Sequence, residues 1–333
     1  VPAFLIARIA QSALVLLAMS LLVFTGIYAV GDPIAILASP DSTPEDLARL
    51  RAALGLDAPL WTQYGVFLER ALHGDLGRSF IHHAPALAVI LERLPATMEL
   101  ALAALAIALV PGIPLGLYAG LRPESLGGRA IMTGSILGFS LPTFWVGLML
   151  IMVFSVWLGW LPASGRGPTV DIAGMPVSFT SAEGLSHLLL PAVNLALFKL
   201  SLVIRLVRAG TREALAQDYV KFARAKGLTM RRVVGVHVLK NILVPVVTVT
   251  GLEFGSLIAF AVVTETVFAW PGMGKLLIES IGALDRPVVV AYLCVVVVMF
   301  VAINLLVDIA CGLIDPRIRQ GAAGGAGGGV GGA

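Results

Sequence analysis

Few residues in this chain have the type and spacing to do chemistry, and the clearest is a single carboxylate. Glu253 stands in the middle of a long apolar run, roughly Ile242 to Val263. A charge at the centre of a bilayer costs about 2.5–3.5 kcal/mol on insertion scales, so such a group marks either a pathway or a buried partnership. Glu253 either lines a water-filled route, where it would meet a substrate amine, or ties spans together through Lys199 or Asn194. Those two residues share another apolar run, about His187 to Val207. Lys199 and Glu99 stand near run ends and are expected to snorkel toward water.

Other reactive groupings do not assemble. The nearest fragment to a phosphate-cradling loop, Gly272-Met273-Gly274-Lys275-Leu276, lacks both the spacing and the hydroxyl of G-x-x-x-x-G-K-[ST]. His82 and His83 are adjacent, but a closed metal site wants about four ligands, and two histidines alone read as surface. Cys294 and Cys311 lie in the last apolar run, too far apart along a helix to bridge, and read as packing residues. No metal and no cofactor bound by this chain is expected. Energy for moving a solute uphill would have to come from a partner.

The elements that position these residues are membrane spans. The chain has 333 residues, 58% hydrophobic and 13% charged, with mean hydropathy +0.94. A soluble domain carries about 25% charged residues, and several runs here reach the roughly 20 residues that cross a bilayer. The expected fold is an all-α polytopic membrane protein with six transmembrane helices. The spans run about Ile9–Val30, Ala96–Leu121, Ile131–Leu158, His187–Val207, Ile242–Val263 and Val288–Leu313. Pro95 opens the second, and Gly138-Phe139-Ser140-Leu141-Pro142 should kink the third. Residues 1–30 hold the first span, 31–95 form a net acidic polar insert, 96–319 form the core, and 320–333 are a glycine and alanine tail expected to be disordered. In the insert, Thr43 should cap a helix with Pro44 at its first position. Residues 159–186 read as a glycine- and proline-rich loop. Most of the 23 Lys and Arg fall on the side holding both ends, which the positive-inside rule makes cytoplasmic. The net charge of +3 follows that sidedness and implies no nucleic acid.

The most basic stretch, Gln217 to Pro245, lies on that side and overlaps the loop segment 210–241. Leu215, Tyr219 and Phe222 recur at helical spacing as one apolar face, with Lys221 and Arg224 turned elsewhere. Gly227 should end this helix, and Thr229 can cap a second short one carrying Arg231, Arg232, Val233, Val234, His237 and Lys240. Helix, bend, helix makes a lever suited to docking on a partner protein.

The residues Asp218-Tyr219-Val220, Ala223-Arg224-Ala225-Lys226-Gly227-Leu228, His237, Asn241 and Pro245 resemble the cytoplasmic coupling loop of ATP-binding-cassette importer permeases. The nearest branch is the peptide and nickel permeases, first of two paired membrane subunits. Matches of the same kind recur in order at Gly31-Asp32-Pro33, Leu54 to Leu60, His73-Gly74-Asp75-Leu76-Gly77, Trp270-Pro271-Gly272-Met273-Gly274 and Asp315-Pro316-Arg317-Ile318-Arg319. The superfamily loop begins Glu-Ala-Ala; here those positions read Lys221-Phe222-Ala223, with the later glycine kept as Gly227. The resemblance implies a type I importer permease fold with residues 31–95 as a helical extracytoplasmic insert. It also implies a multi-pass inner-membrane subunit forming half of a path for di- and oligopeptides, with nickel, metal chelates or glutathione as other substrates of the branch. Its implied partners are a homologous second permease, two cassette ATPases holding ATP and Mg, an extracytoplasmic solute-binding protein and the lipid bilayer. The chain itself would not be an enzyme. By the same resemblance Tyr219, Phe222, Ala223, Arg224, Ala225, Lys226, Gly227 and Leu228 meet the ATPases, while Asp32, Trp270, Pro271, Gly272 and Gly274 gate the outer mouth or meet the binding protein. Of another class, a self-contained secondary transporter would show inverted repeats with matching broken helices, and none is visible.

Overall fold

A computed structural model describes residues 2–29, 43–53, 57–172 and 174–314. Asp32, the 54–56 triplet and the motif at 315–319 lie outside them. Among the described residues, five helices are long and apolar enough to cross a membrane, and a bent pair makes a sixth if it counts as one span. The helices are α1 (Pro2–Ala29), α2 (Pro44–Ala53), α3 (Leu60–Leu72), α4 (Ala86–Leu121) and α5 (Leu126–Ser140). Then come α6 (Thr143–Trp157), α7 (Ala182–Ala216), α8 (Asp218–Ala225), α9 (Met230–Val267), α10 (Met273–Gly282) and α11 (Arg286–Ile314). The 159–186 loop contains a small antiparallel hairpin, β1 (Val170–Ile172) and β2 (Met175–Val177).

Several expected boundaries shift. Pro95 does not open the second span: it lies inside α4 with Pro111 and Pro114. Prolines are tolerated in membrane helices, and just after Pro95 the Ala96 carbonyl accepts the Trp270 indole N–H at 2.9 Å, tying α4 to the Trp270 turn. The third span is broken rather than kinked. Its halves α5 and α6 meet at 108°, because Leu141 and Pro142 both take extended backbone and Pro142 disfavours helix in the residue before it. The fourth span runs on to Ala216, since Val203, Val207 and Ala214 continue one buried face.

The chain forms two compact units. One is built around Arg93–Leu276 together with the last part of α11. In it α7 contacts α5, α6 and α9. A glycine stripe lets α4 approach α7 closely. Gly112, Gly116 and Gly120 face Val203, Val207 and Thr211 in register, and a Cβ on any of them would collide there. The order of contacts makes the two helices parallel.

The second unit comprises Ile9–Glu92 and Leu277–Val301. Phe24 of α1 packs edge-on against Tyr64 of α3, with ring centroids 5.3 Å apart, and Ser20 and Tyr64 share a hydroxyl hydrogen bond of 2.7 Å. Ser79 donates to buried Asp285, and the Phe80 amide donates to the same carboxylate at 3.3 Å. Thr43 does cap α2: its hydroxyl accepts the Asp46 amide and donates to the Asp46 carboxylate, holding that exposed carboxyl below the usual aspartate range.

Candidate functional site: a docked lever and a buried carboxylate network

The basic segment is shorter and better seated than its sequence implies. At Gln217 the backbone turns extended and ends α7. Eight residues of helix are marginal alone in water, so α8 depends on packing. Val220 and Ala223 are buried among Val203, Val207 and Ala214 of α7 and Val233, Val238, Ile242 and Val246 of α9. Leu109, Ile113 and Leu117 of α4 border the same cluster. The seated face is therefore Val220 and Ala223, not Tyr219 and Phe222. Phe222 is 63% exposed, and Tyr219 stands at 38%. The smaller pair fits between the closely packed helix ends, which leaves the aromatics outside.

Gly227 ends α8 in a Schellman motif. Its φ is +80°, the Leu228 amide donates to the Ala223 carbonyl at 3.2 Å, and the Gly227 amide donates to the Arg224 carbonyl at 2.9 Å. Leu228 then packs on the apolar cluster. Thr229 occupies the cap position of α9, but its side chain makes no capping hydrogen bond. The residues after Thr229 do not form a separate short helix. Met230 starts the fifth span itself, through π-helical Val233–Val238. Five-residue spacing in a π turn stacks Val233 over Val238, and both are fully buried. Asn241 Nδ2 donates to the Tyr219 hydroxyl at 2.8 Å, tying α8 to α9. Lys226 Nζ lies 4.5 Å from the Phe222 ring centroid. Among the proposed contact residues, Tyr219, Phe222, Arg224, Ala225, Lys226 and Gly227 are exposed, Leu228 is half-buried and Ala223 is buried.

About 50 Å away along the 35-residue α7, two carboxylates organise the other end of the unit. Glu99 does not snorkel. Arg166 donates to it through Nε at 3.0 Å and through a second, closer nitrogen. The Ser178 amide and hydroxyl and the Phe179 amide donate to its other oxygen. Arg166 also reaches the Pro176 carbonyl, so one carboxylate pins the β-hairpin loop to α4.

Glu265 is wholly buried at the end of α9. It accepts from the Thr97 hydroxyl at 2.7 Å, the Gly274 amide at 2.7 Å and the Lys275 amide at 3.0 Å. A Cβ on Gly272 would fall on that carboxylate, which explains the first glycine of the Trp270–Gly274 turn. Trp270, Gly272 and Gly274 are buried inside the chain. They support the surface of this end rather than forming it. Glu265 has a sequence signal, an acid beside a glycine turn, but its donors come from a helix 168 residues earlier and from the adjoining turn.

Lys199 does not snorkel either. It pairs with Glu253 across α7 and α9 and donates to Ser256 at 2.8 Å. Asn194 joins neither: its Nδ2 donates to Thr264 at 3.0 Å, and its Oδ1 is buried without a partner among the described residues. His82 and His83 are exposed, and among the described residues no three metal-capable side chains come together.

Comparison with known proteins decides the family. Residues 112–320 match the model of the binding-protein-dependent transport system inner membrane component, and residues 2–101 match that of its N-terminal part. This chain belongs to that family. It is 37% identical over 334 residues to the dipeptide transport system permease protein DppB of Escherichia coli strain K12, covering 95% of this chain and 98% of that protein. It is 41% identical over 303 residues to the di/tripeptide transport system permease protein DppB of Pseudomonas aeruginosa, covering 87% and 90%. Among solved structures, a chain of the inward-facing MetNI methionine ABC transporter aligns with TM-score 0.54 at 16% identity, over 69% of this chain and 98% of that one. The fold is that of an ABC importer permease: a multi-pass membrane protein that is a transport subunit rather than an enzyme, working with ATPase and other membrane subunits.

Proposed function

We propose that this chain forms half of the translocation path of an ATP-driven importer of di- and oligopeptides. The supporting observation is its likeness, over nearly its whole length, to permeases named for dipeptide and di/tripeptide transport. The other half is a homologous permease. Two cassette ATPases, holding ATP and Mg, dock on α8, and an extracytoplasmic binding protein delivers the peptide. Both termini and α8 are cytoplasmic. Residues 31–95, including Asp32, form an extracytoplasmic insert that meets the binding protein. Trp270, Pro271, Gly272 and Gly274 support a surface of the other unit that gates the outer mouth or meets the binding protein.

The mechanism is mechanical. Tyr219, Phe222, Arg224, Ala225, Lys226 and Gly227 present a small basic and aromatic surface to the ATPase, while Ala223 and Leu228 seat it. Since Val220 and Ala223 pack against α7 and α9 beside α4, displacement of α8 is passed to all three helices rather than absorbed. A close-packed interior transmits strain in this way. Glu253 and Asn194 stand further along α7 and α9 and line the path.

The test is to purify the tagged chain from its native membrane, identify the proteins bound to it, and assay the reconstituted assembly for uptake of a labelled dipeptide. An ATPase and a second permease, with ATP-dependent uptake, are expected. Uptake by this chain alone under an ion gradient would contradict the reading.

A further inference from the structure

The Lys199–Glu253 pair is surrounded by more than a tie between helices requires. Lys199 is nearly buried, at 11% exposure, while Glu253 keeps 34% of its side chain exposed. Both line a cleft walled by Leu105, Ala108, Leu202 and Val249. The cleft has room for little more than a water molecule. Thr250, one turn before Glu253 on α9, lines it too, and its hydroxyl is buried without a partner among the described residues. Stability does not account for the pair, because well-packed apolar side chains of similar volume are often as stable or more so. The pair does supply two opposite charges on different helices, with a spare hydroxyl beside them, across an otherwise apolar constriction.

A ligand matched to this arrangement is short and carries both charges. Resting on the peptide reading above, we propose that Lys199 and Glu253 form a charge-pair gate opened by the two termini of a zwitterionic peptide. The peptide ammonium takes the place of Lys199 at Glu253, and its carboxylate takes the place of Glu253 at Lys199. Thr250 gains a hydrogen-bond partner in the peptide. Every charge stays paired during the exchange, so none is left bare against the apolar walls. Two residues span at most about 7 Å, so a modest separation of α7 from α9 admits a dipeptide end to end.

The experiment uses the complete transporter, with its partner subunits and binding protein, in proteoliposomes loaded with ATP, and measures uptake of a labelled free dipeptide per assembled complex. Lys199→Met/Glu253→Leu keeps volume and removes both charges. A tie between helices survives that exchange with unchanged uptake, whereas a gate loses at least tenfold. Glu253→Gln, which keeps the shape and an acceptor for Lys199, should show a similar loss if the double variant fails to assemble. Uptake within twofold of the parent in either assembled variant overturns the gate, and so does failure of both variants to assemble, which marks a purely structural pair. Absence of dipeptide uptake by the unaltered transporter would instead remove the substrate reading itself.

Discussion

Three acidic side chains in the α4–α9 unit have found three different kinds of partner. Glu99 has a guanidinium and a loop, Glu265 has backbone amides and a hydroxyl, and Glu253 has an ammonium. Removing Glu99 strands the Arg166 guanidinium, which is 9% exposed. Glu99→Leu should therefore cost about 3–5 kcal/mol, read as a lower midpoint of thermal unfolding of the purified chain. Glu99→Leu combined with Arg166→Met should recover part of that loss. At Gly227 the positive φ meets no steric neighbour, so strain there is a matter of backbone alone. Gly227→Ala should cost about 1 kcal/mol, and Gly227→Asn less, since asparagine tolerates the left-handed region. The same thermal midpoints check that order. Glu253 was legible in sequence because it interrupts an apolar run. Glu99 was not: its donors lie 67 to 80 residues away, and hydrophobic periodicity reports on a helix face, never on what crosses to meet it.

Whole helices show where local pattern suffices and where it fails. The long apolar runs located the spans, and a proline after an apolar stretch located the break between α5 and α6. The size of that bend did not follow, because a turn of two extended residues and a mild proline kink look alike in sequence. On α8 the larger apolar residues suggested the seated face, yet packing chose Val220 and Ala223 because the gap between close helices admits only small side chains. The π turn at Val233–Val238 escaped detection for a related reason: a 3.6-residue period does not put positions five apart on one face. The glycine stripe on α4 offers a direct check on close approach. Gly116→Ala would place a methyl 2.7 Å from Val207 Cβ and 2.8 Å from the Ile204 carbonyl, so about 1–3 kcal/mol of overpacking is expected. Gly134→Ala on α5 meets nothing within 4 Å and should leave the unfolding midpoint within a degree or two.

Across the whole molecule, one polypeptide presents a stiff basic corner at one end of α7 and a carboxylate-pinned loop at the other. Sequence resemblance supplied the family and the partners it implies. The structure added how α8 is held, namely by an apolar face shared with the ends of α4, α7 and α9. A lever held this way should fail in a specific manner: the engine keeps running while the solute stops moving. Gly227→Pro fixes φ near −65° where +80° is needed and deletes the amide that closes the Schellman turn. Lys226→Glu leaves the backbone alone and reverses one exposed charge. The most direct measurement is ATP hydrolysis and dipeptide uptake in the same reconstituted vesicles for these two variants. Uptake per ATP should fall at least tenfold in Gly227→Pro, and severalfold in Lys226→Glu, with hydrolysis continuing. Unchanged uptake per ATP in both would contradict the claim that α8 carries the stroke.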